Sequence, residues 1–248
     1  MSSILNLIRK QFRKRGFIIQ KYPASDFGTL PVFDICVEFM MSRIGTDIDF
    51  IQIGANDGIF RDPLRKYILN YPWRGVLVEP QADIFEKLRL NYSDVIDRLI
   101  FENCAISNRI QELSMFRRKS QNGTSCREVL ASSVVSSSSQ VVASQLGVKK
   151  SELEEIKVPC LTLDALVSRH EMRNLDLLQI DAEGHDFEVI STMDLSQTKP
   201  SLIQLEHGHL RPAEISQLVT YLNKNNYDVL YGGYQADTVA MHSELLMN

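Results

Sequence analysis

The stretch that most constrains the fold is residues 50–58, Phe-Ile-Gln-Ile-Gly-Ala-Asn-Asp-Gly, where an apolar run breaks abruptly into glycine and polar residues. Such a pattern predicts a buried strand that feeds a tight loop. Gly54 and Gly58 allow positive φ angles and let a ligand approach without a Cβ in the way. In an open α/β sheet, a loop after the first strand lies where nucleotide-like ligands bind. We therefore predict that this loop holds a cofactor.

A carboxylate follows the second predicted strand. Residues 75–78 form another apolar run, which ends in Glu79 and Pro80 before a helix-like segment, residues 81–92. Nucleotide-binding α/β folds place, about 20 positions beyond the glycine turn, an acid that accepts hydrogen bonds from ribose hydroxyls. The loop, the spaced acid and the alternation of strands and helices together favour a nucleotide-type cofactor. Residues 59–69 are predicted to form the first crossover helix.

Two later strands end in ionisable residues. Residues 175–180 form a buried-strand pattern that ends in Asp181, Glu183, His185 and Asp186, and residues 201–205 end in Glu206, His207 and His209. In a doubly wound sheet the first of these strands neighbours the opening strand, so Asp181 would face the cofactor. Carboxylates suit Mg²⁺, and imidazole admits Mn²⁺. One hypothesis is therefore a divalent cation held by Asp181, Glu206 and His207; the alternative is that these side chains are structural.

Five segments resemble, in the same order, motifs of FkbM-type methyltransferases: residues 53–58, 78–80, 104–107, 161–164 and 178–186. The resemblance covers roughly residues 47–210. It implies an α/β, Rossmann-like class I methyltransferase fold, with a mainly parallel sheet flanked by helices and an antiparallel C-terminal pair. It also implies S-adenosylmethionine as the cofactor and a hydroxyl of a sugar, glycan, glycolipid or natural product as the methyl acceptor. The alternatives are an N-methyltransferase and a catalytically inactive binding or assembly module.

The resemblance assigns residues to the cofactor site. The set is Gly54, Ala55, Asn56, Asp57, Gly58, Glu79, Pro80, Cys104, Ala105, Ser107 and Asp181. Many methyltransferases have an aspartate in the third loop to accept a hydrogen bond from the adenine amino group. This chain has Cys104 there, which leaves the amide of Ala105 and the hydroxyl of Ser107 as substitutes.

Methyl transfer to a hydroxyl requires an in-line geometry and removal of the acceptor proton. The candidate catalytic residues are Asp181, Glu183, His185 and His207. Imidazole titrates near neutrality, and we rank His185 first as the base because it is close in sequence to Asp181. For each single histidine, the alternative is a partly buried structural side chain.

The chain divides into an N-terminal helical extension, residues 1–46, and a methyltransferase domain, residues 47–248, with an insertion at about 111–156. The extension comprises a basic amphipathic helix and a cap helix. Residues 1–21 carry six basic residues and no acid, which suits an anionic membrane surface, a partner or packing on the domain. In the insertion, Ser132 and Ser133 match the family pattern. The resemblance implies that the insertion shapes the acceptor pocket, with a helix over residues 140–155; the alternative is a mobile polar loop.

Composition excludes several classes. A net charge of −4 argues against nucleic-acid binding, and the four cysteines (Cys36, Cys104, Cys126, Cys160) form no C-x-x-C pair. No apolar run reaches the length of a membrane span, and the N-terminus lacks an apolar signal region. We therefore expect a cytoplasmic protein, with residues 1–21 able to place it at the inner membrane surface. Four apolar residues near the C-terminus are available for packing or for a homo-oligomer contact: Met241, Leu245, Leu246 and Met247.

Overall fold

The computed structural model describes residues 31–119, 135–232 and 237–247. The basic segment 1–21, the serine pair at 132–133 and Cys126 lie outside the described residues. The strands are β1 Asp49–Ile53, β2 Arg74–Val78, β3 Leu99–Glu102, β4 Ala105–Ile106, β5 Gln111–Arg118, β6 Val135–Ser136, β7 Leu153–Leu161, β8 Leu177–Ile180, β9 Leu202–Glu206, β10 Tyr227–Gly232 and β11 Asp237–His242.

The described helices alternate with the strands. They are α1 Val32–Ile44, α2 Arg65–Asn70, α3 Ala82–Asn91, α4 Ser139–Leu146, α5 Leu163–Arg169, α6 Asp186–Ile190, α7 Pro212–Lys224 and α8 Ser243–Met247. Shorter 3-10 turns occupy Ser93–Arg98 and Lys150–Glu152. Among the described helices, none combines the length and the hydrophobicity that crossing a bilayer would require.

A seven-stranded sheet organises these elements in the order β10-β11-β9-β8-β1-β2-β3. The β9-β8-β1-β2-β3 pairings are parallel, and β11 runs antiparallel to both β9 and β10. The predicted mainly parallel sheet with an antiparallel C-terminal pair is thus present. Since the chain continues from β1 to β2 on one side and returns to β8 on the other, the switch point lies at the carboxyl ends of β1 and β8.

Helices cover both faces of this sheet, which explains why its strands are apolar on both sides. Ile51, Leu178 and Ile203 pack with residues of α5, α6 and α7 in one core cluster. Phe50, on the opposite face, packs with residues of α1, α2 and α3 in a second cluster. The predicted cap helix, α1, therefore lies against the sheet, and none of its residues lines the cavity described below.

The expected crossover helix over residues 59–69 is wrong at its beginning, because α2 starts only at Arg65. Two aspartates explain the delay. Asp57 accepts hydrogen bonds from the amides of Ile59 and Phe60, and Asp62 accepts them from the amides of Leu64 and Arg65. Short side chains that bond to nearby amides offer the backbone an alternative to the helix.

The insertion is more regular than expected. β5 and β7 pair antiparallel along eight residues, and with β4 and β6 they form a four-stranded second sheet. The helix expected over residues 140–155 ends at Leu146, and a strand begins at Leu153. Val158 and Cys160 are buried, whereas the alternating residues Glu155, Lys157 and Pro159 are exposed, which is strand periodicity. The division between residues 46 and 47 stays a prediction.

Gly75 tests the packing of the central sheet. It lies beside Phe50 of β1, and a Cβ at this position would lie 2.3 Å from the Phe50 carbonyl oxygen and 2.6 Å from its Cδ1. Since backbone would have to move, we expect Gly75→Ala to lower the free energy of unfolding by roughly 2 kcal/mol or more in urea titrations. Gly147→Ala is the control: a Cβ there would meet nothing within 4 Å, and the left-handed φ of 62° should cost only about 1 kcal/mol. Equal losses in the two variants would contradict this account.

Candidate active site

A cavity of about 580 Å³ opens at the carboxyl ends of β1, β2 and β8. Its floor consists of residues 52–56, 78–80 and 181–183, and residues 60–63 and 104–109 form two of its walls. The second sheet supplies a further wall through Leu113, Met115 and Val135. Tertiary folding thus brings segments more than 120 residues apart in sequence to the edge where α/β folds bind ligands.

The glycine loop fits tightly against the end of β8. Gly54 has a φ of 78°, and a Cβ there would lie 2.0 Å from the Asp181 carbonyl oxygen. The amides of Gly54 and Ala55 both donate to the Val78 carbonyl at 3.0 Å. Only glycine permits this conformation and this approach together, so Gly54 allows the ends of β1, β2 and β8 to converge.

The predicted cofactor loop divides into two parts. Gly54, Ala55 and Asn56 line the cavity, whereas Asp57 and Gly58 do not. The carboxylate of Asp57 is used by the loop itself, as described above. Gly58 has a φ of 72°, and a Cβ there would lie 2.5 Å from Cε2 of Tyr92. These two residues therefore shape the loop from behind.

Glu79 is buried at the end of β2 and lines the cavity. Its Oε2 accepts a hydrogen bond from the Asn56 amide at 3.1 Å, and its Oε1 accepts one from the Gln81 amide at 2.9 Å. Burial raises the pKa of Glu79 to about 7, although these hydrogen bonds oppose the rise. The carboxylate is thus held between two loops, and its pKa lies close to neutral pH.

Pro80, Cys104, Ala105 and Ser107 also line the cavity. Cys104 is buried, and burial raises the pKa of its thiol to about 12, so the side chain stays neutral. The Ser107 hydroxyl donates to Glu188 Oε1 at 3.4 Å. This wall offers small, uncharged groups to a ligand.

Acidic residues are concentrated at the ends of β8 and β9. Asp181 is open to the cavity, yet burial among protein atoms raises its pKa, which a hydrogen bond with Glu206 lowers in part. Burial, followed by the charges of Asp181 and Glu183, raises the pKa of Glu206 to about 9. His209 Nε2 lies 3.6 Å from Glu183 Oε2 and 3.8 Å from Glu206 Oε2. A proton on Glu206 relieves the repulsion among the carboxylates of this group.

The predicted metal set differs from the cluster that the structure brings together. Among the described residues, ligand atoms of Glu183, Glu206 and His209 lie within 4.8 Å of one another. His207, which was predicted both as a ligand and as a catalytic residue, bonds through Nδ1 to Thr238 Oγ1 of β11 at 2.8 Å and does not line the cavity. The cause is a turn after β9, in which the Leu210 amide donates to the His207 carbonyl. This turn reverses the chain, so that His209, and not His207, faces the cavity.

His185 lines the cavity at the beginning of α6. Its Nε2 lies 2.9 Å from the hydroxyl of Ser137, which follows β6 of the second sheet, and its Nδ1 lies 3.6 Å from Glu188 Oε2. A carboxylate on one nitrogen and a hydroxyl on the other define the orientation of the ring. The sequence analysis missed Ser137, because only the second sheet brings it to this place.

Asp186 holds the loop between β8 and α6. It is fully buried, and its carboxylate accepts hydrogen bonds from the amides of Ala182 (3.4 Å), Gly184 (3.3 Å) and Glu206 (3.2 Å). Burial and the charge of Asp181 raise the pKa of Asp186 well above its ordinary value. Asp186 therefore fixes the backbone that carries the cavity-facing acids.

Comparison with known proteins agrees with this architecture. A model of the methyltransferase FkbM domain matches residues 52–229, which is more than half of the chain. The chain belongs to the FkbM methyltransferase family. The predicted relationship is thereby confirmed, and with it a methyltransferase of class I fold.

Solved structures also resemble this family member. The methyltransferase FkbM from Methylobacillus flagellatus KT has a TM-score of 0.53 at 11% identity, with 79% of this chain and 44% of that chain covered. The chain thus spans less than half the length of that protein. A methyltransferase from Geobacter sulfurreducens has a TM-score of 0.44 at 11% identity, over 96% of this chain and 87% of that chain. No curated protein sequence matches significantly.

Asp186 provides a test of how the site is held. Asp186→Ala removes the acceptor of three amides, so we expect a loss of roughly 2 to 4 kcal/mol in the free energy of unfolding. Asp186→Asn keeps the Oδ1 acceptor for Ala182 and Glu206 but turns an NH2 group toward the Gly184 amide, so it should lose about 1 to 2 kcal/mol, less than Asp186→Ala. Urea titration of both variants measures the difference. Equal losses would show that the amide bonds contribute little.

Proposed function

We propose that this FkbM family member transfers a methyl group from S-adenosylmethionine to a hydroxyl of a sugar, a glycan, a glycolipid or a natural product. The observation that carries the proposal is the cavity in which the glycine loop, Glu79 and Asp181 meet. Such a cavity at a switch point is where α/β folds bind nucleotide-like cofactors. Bound there, the cofactor would supply a methyl group activated by the sulfonium.

The residues present fit such a cofactor. Glu79 offers carboxylate oxygens to the ribose hydroxyls: each oxygen accepts one backbone amide, the Gln81 side chain adds a further bond, and the two oxygens together can accept about four. The small residues Ala105 and Cys104 leave room for a flat base beside β4. The carboxylates at the end of β8 suit the positive charge of a sulfonium and of an α-ammonium group.

His185 is proposed as the base. Its Nε2 already has a hydroxyl partner, Ser137 Oγ, so the space beside this nitrogen accommodates a hydroxyl group. In methyl transfer to a hydroxyl group, Nε2 of His185 would take the proton of the acceptor, and Glu188 beside Nδ1 would stabilise the imidazolium. Asp181 and Glu183 contribute by position and charge. An amine acceptor would need less help from a base, which keeps N-methylation as the alternative.

The cation, the partners and the location are secondary proposals. A divalent cation would take Glu183, Glu206 and His209, rather than the set predicted from the sequence. Residues 1–21 would contact a membrane surface or a partner, and the acceptor would be met in the cytoplasm. The residues near the C-terminus are proposed as a homo-oligomer contact.

Calorimetric titration with S-adenosylhomocysteine, with NAD⁺ as the control ligand, tests the cofactor. We expect one-to-one binding of S-adenosylhomocysteine and none of NAD⁺. Repeating the titration with and without Mg²⁺ or Mn²⁺ tests the cation. Binding of NAD⁺ alone would overturn the proposal, and failure to bind either ligand would favour the inactive module.

His185→Ala separates chemistry from binding. With an acceptor identified from a panel of glycans and hydroxylated metabolites, we expect turnover to fall roughly 10²- to 10⁴-fold, because general-base assistance is lost. The affinity for S-adenosylhomocysteine should stay within about twofold. His207→Ala is the matched control, since this imidazole bonds to Thr238 outside the cavity. Full activity of the His185 variant would exclude the base role.

The raised pKa of Glu79 predicts a pH dependence of binding. Ribose hydroxyls donate to the ionised carboxylate, so below about pH 7 binding must first release a proton from Glu79. The affinity for 5′-methylthioadenosine, which lacks the ionisable amino-acid group, should therefore fall up to about tenfold from pH 7 to pH 6 and change little from pH 8 to pH 9. Glu79→Gln should bind more weakly, with a flat profile. A flat profile in the wild-type protein would contradict the assignment.

A further inference from the structure

The cavity contains two cationic side chains that take no part in the contacts proposed above for the ribose, the base or the acceptor. The two are Arg61, in the wall formed by residues 60–63, and Arg109, in the wall formed by residues 104–109. Arg61 belongs to the loop between β1 and α2. Arg109 lies between β4 and β5, in the second sheet region.

The conformation of Arg61 is unusual for its residue type. Its φ is 52°, in the left-handed region that non-glycine residues rarely adopt. The aspartate-bonded turns on both sides, at Asp57 and Asp62, hold the backbone in this state. The guanidinium lies over the Phe60 ring, 5.4 Å from its centroid. The loop thus places this side chain at the cavity, and the backbone of residue 61 is strained as a result.

Neighbouring cations bond to carbonyl groups or to a carboxylate of the protein, whereas Arg61 forms no close ion pair among the described residues. Arg65 donates to the carbonyls of Gly58 and Asn91, and Lys66 pairs with Asp34 at 2.7 Å. Within the described parts of the chain, no carboxylate lies within 4.0 Å of the Arg61 guanidinium. Burial raises the pKa of Asp181, and the charge of Arg61 opposes that rise, so Arg61 acts electrostatically on the β8 end of the cavity.

The order of the strands decides which part of the cofactor would lie near Arg61. Neighbouring strands follow the order β3-β2-β1-β8. With the ribose at Glu79, at the end of β2, and the base beside residues 104–107, after β3, the amino-acid part must extend over β1 toward β8. Arg109 lies at the base end, and Arg61 lies at the β1 end. The α-carboxylate is the anionic group of this cofactor, and guanidinium recognises carboxylate in bidentate fashion.

We propose that Arg61 is the residue that binds the α-carboxylate of the cofactor's methionine moiety. The proposal rests on the proposed function. Asp181, across the cavity, is then the natural partner of the α-ammonium group. The left-handed backbone at residue 61 is explained as the conformation that directs the guanidinium toward the carboxylate.

A calorimetric cycle of ligands and variants tests this role. The ligands are S-adenosylhomocysteine, its decarboxylated analogue, which keeps the amine, and 5′-methylthioadenosine, which lacks the amino-acid group. We expect Arg61→Ala and Arg61→Gln to weaken S-adenosylhomocysteine binding by 10- to 100-fold, and to change the binding of the other two ligands by less than about threefold. Arg61→Lys, which keeps a point charge without the fork, should recover part of the loss.

Lys66→Ala is the matched control, because Lys66 pairs with Asp34 and does not line the cavity, and it should leave S-adenosylhomocysteine binding within about threefold of wild type. Equal weakening of all three ligands by Arg61→Ala would show a loop defect and overturn the carboxylate assignment. Unchanged binding of S-adenosylhomocysteine would overturn it as well, while the proposed function would stand. Failure of the wild-type protein to bind any of the three ligands would instead refute the proposed function itself.

Discussion

The cavity depends on the contact between Gly54 and the carbonyl group of Asp181. The ends of two parallel strands approach each other here so closely that a Cβ would lie 2.0 Å from an oxygen. The Asp181 amide donates to the Ile53 carbonyl at 3.0 Å, and the Gly54 amide donates to Val78. Three strand ends are thereby joined by backbone bonds. Every cavity-facing side chain of the glycine loop and of the β8 exit takes its position from this junction.

Around the junction the protein places carboxylates where water is scarce. Glu79 and Asp186 are buried, and Glu206 is partly buried with its pKa raised to about 9. The protein keeps such groups by surrounding them with amides, by pairing them with His209 and by allowing them to hold protons. A cavity with these walls favours a ligand that brings positive charge, which is consistent with the proposed sulfonium cofactor.

The second sheet contributes to the site as well as to the size of the domain. Arg117 of β5 bonds to Glu154 of β7 at 2.8 Å, and its guanidinium also contacts Asp83 of α3, the helix that follows Glu79. This link ties the second sheet to the element beside the proposed ribose site. On its other side the sheet presents Ser137 to His185. The insertion thus couples the two ends of the cavity through polar contacts.

Much of this architecture was available from local patterns. Apolar runs that end in glycine or in a carboxylate predicted β1, β2, β8 and β9 and their polar exits, because a parallel strand buried on both faces leaves a clear mark in the sequence. The resemblance to the family then implied a mainly parallel sheet with an antiparallel C-terminal pair. Loops were less predictable: Asp57 was predicted to bind the cofactor and Asp62 to lie within a helix, although both side chains bond to loop amides.

By itself, the sequence determined the fold class, the family and the strand ends that surround the cavity, because periodicity and motif order are properties of neighbouring residues. Tertiary structure alone decided which side chains meet there. It selected His209 over His207, through a turn after β9, and it brought Ser137 and Arg61 into the same cavity as Asp181. These contacts depend on where the chain reverses and on which sheet a distant segment joins. Neither can be inferred from the spacing of residues along the sequence.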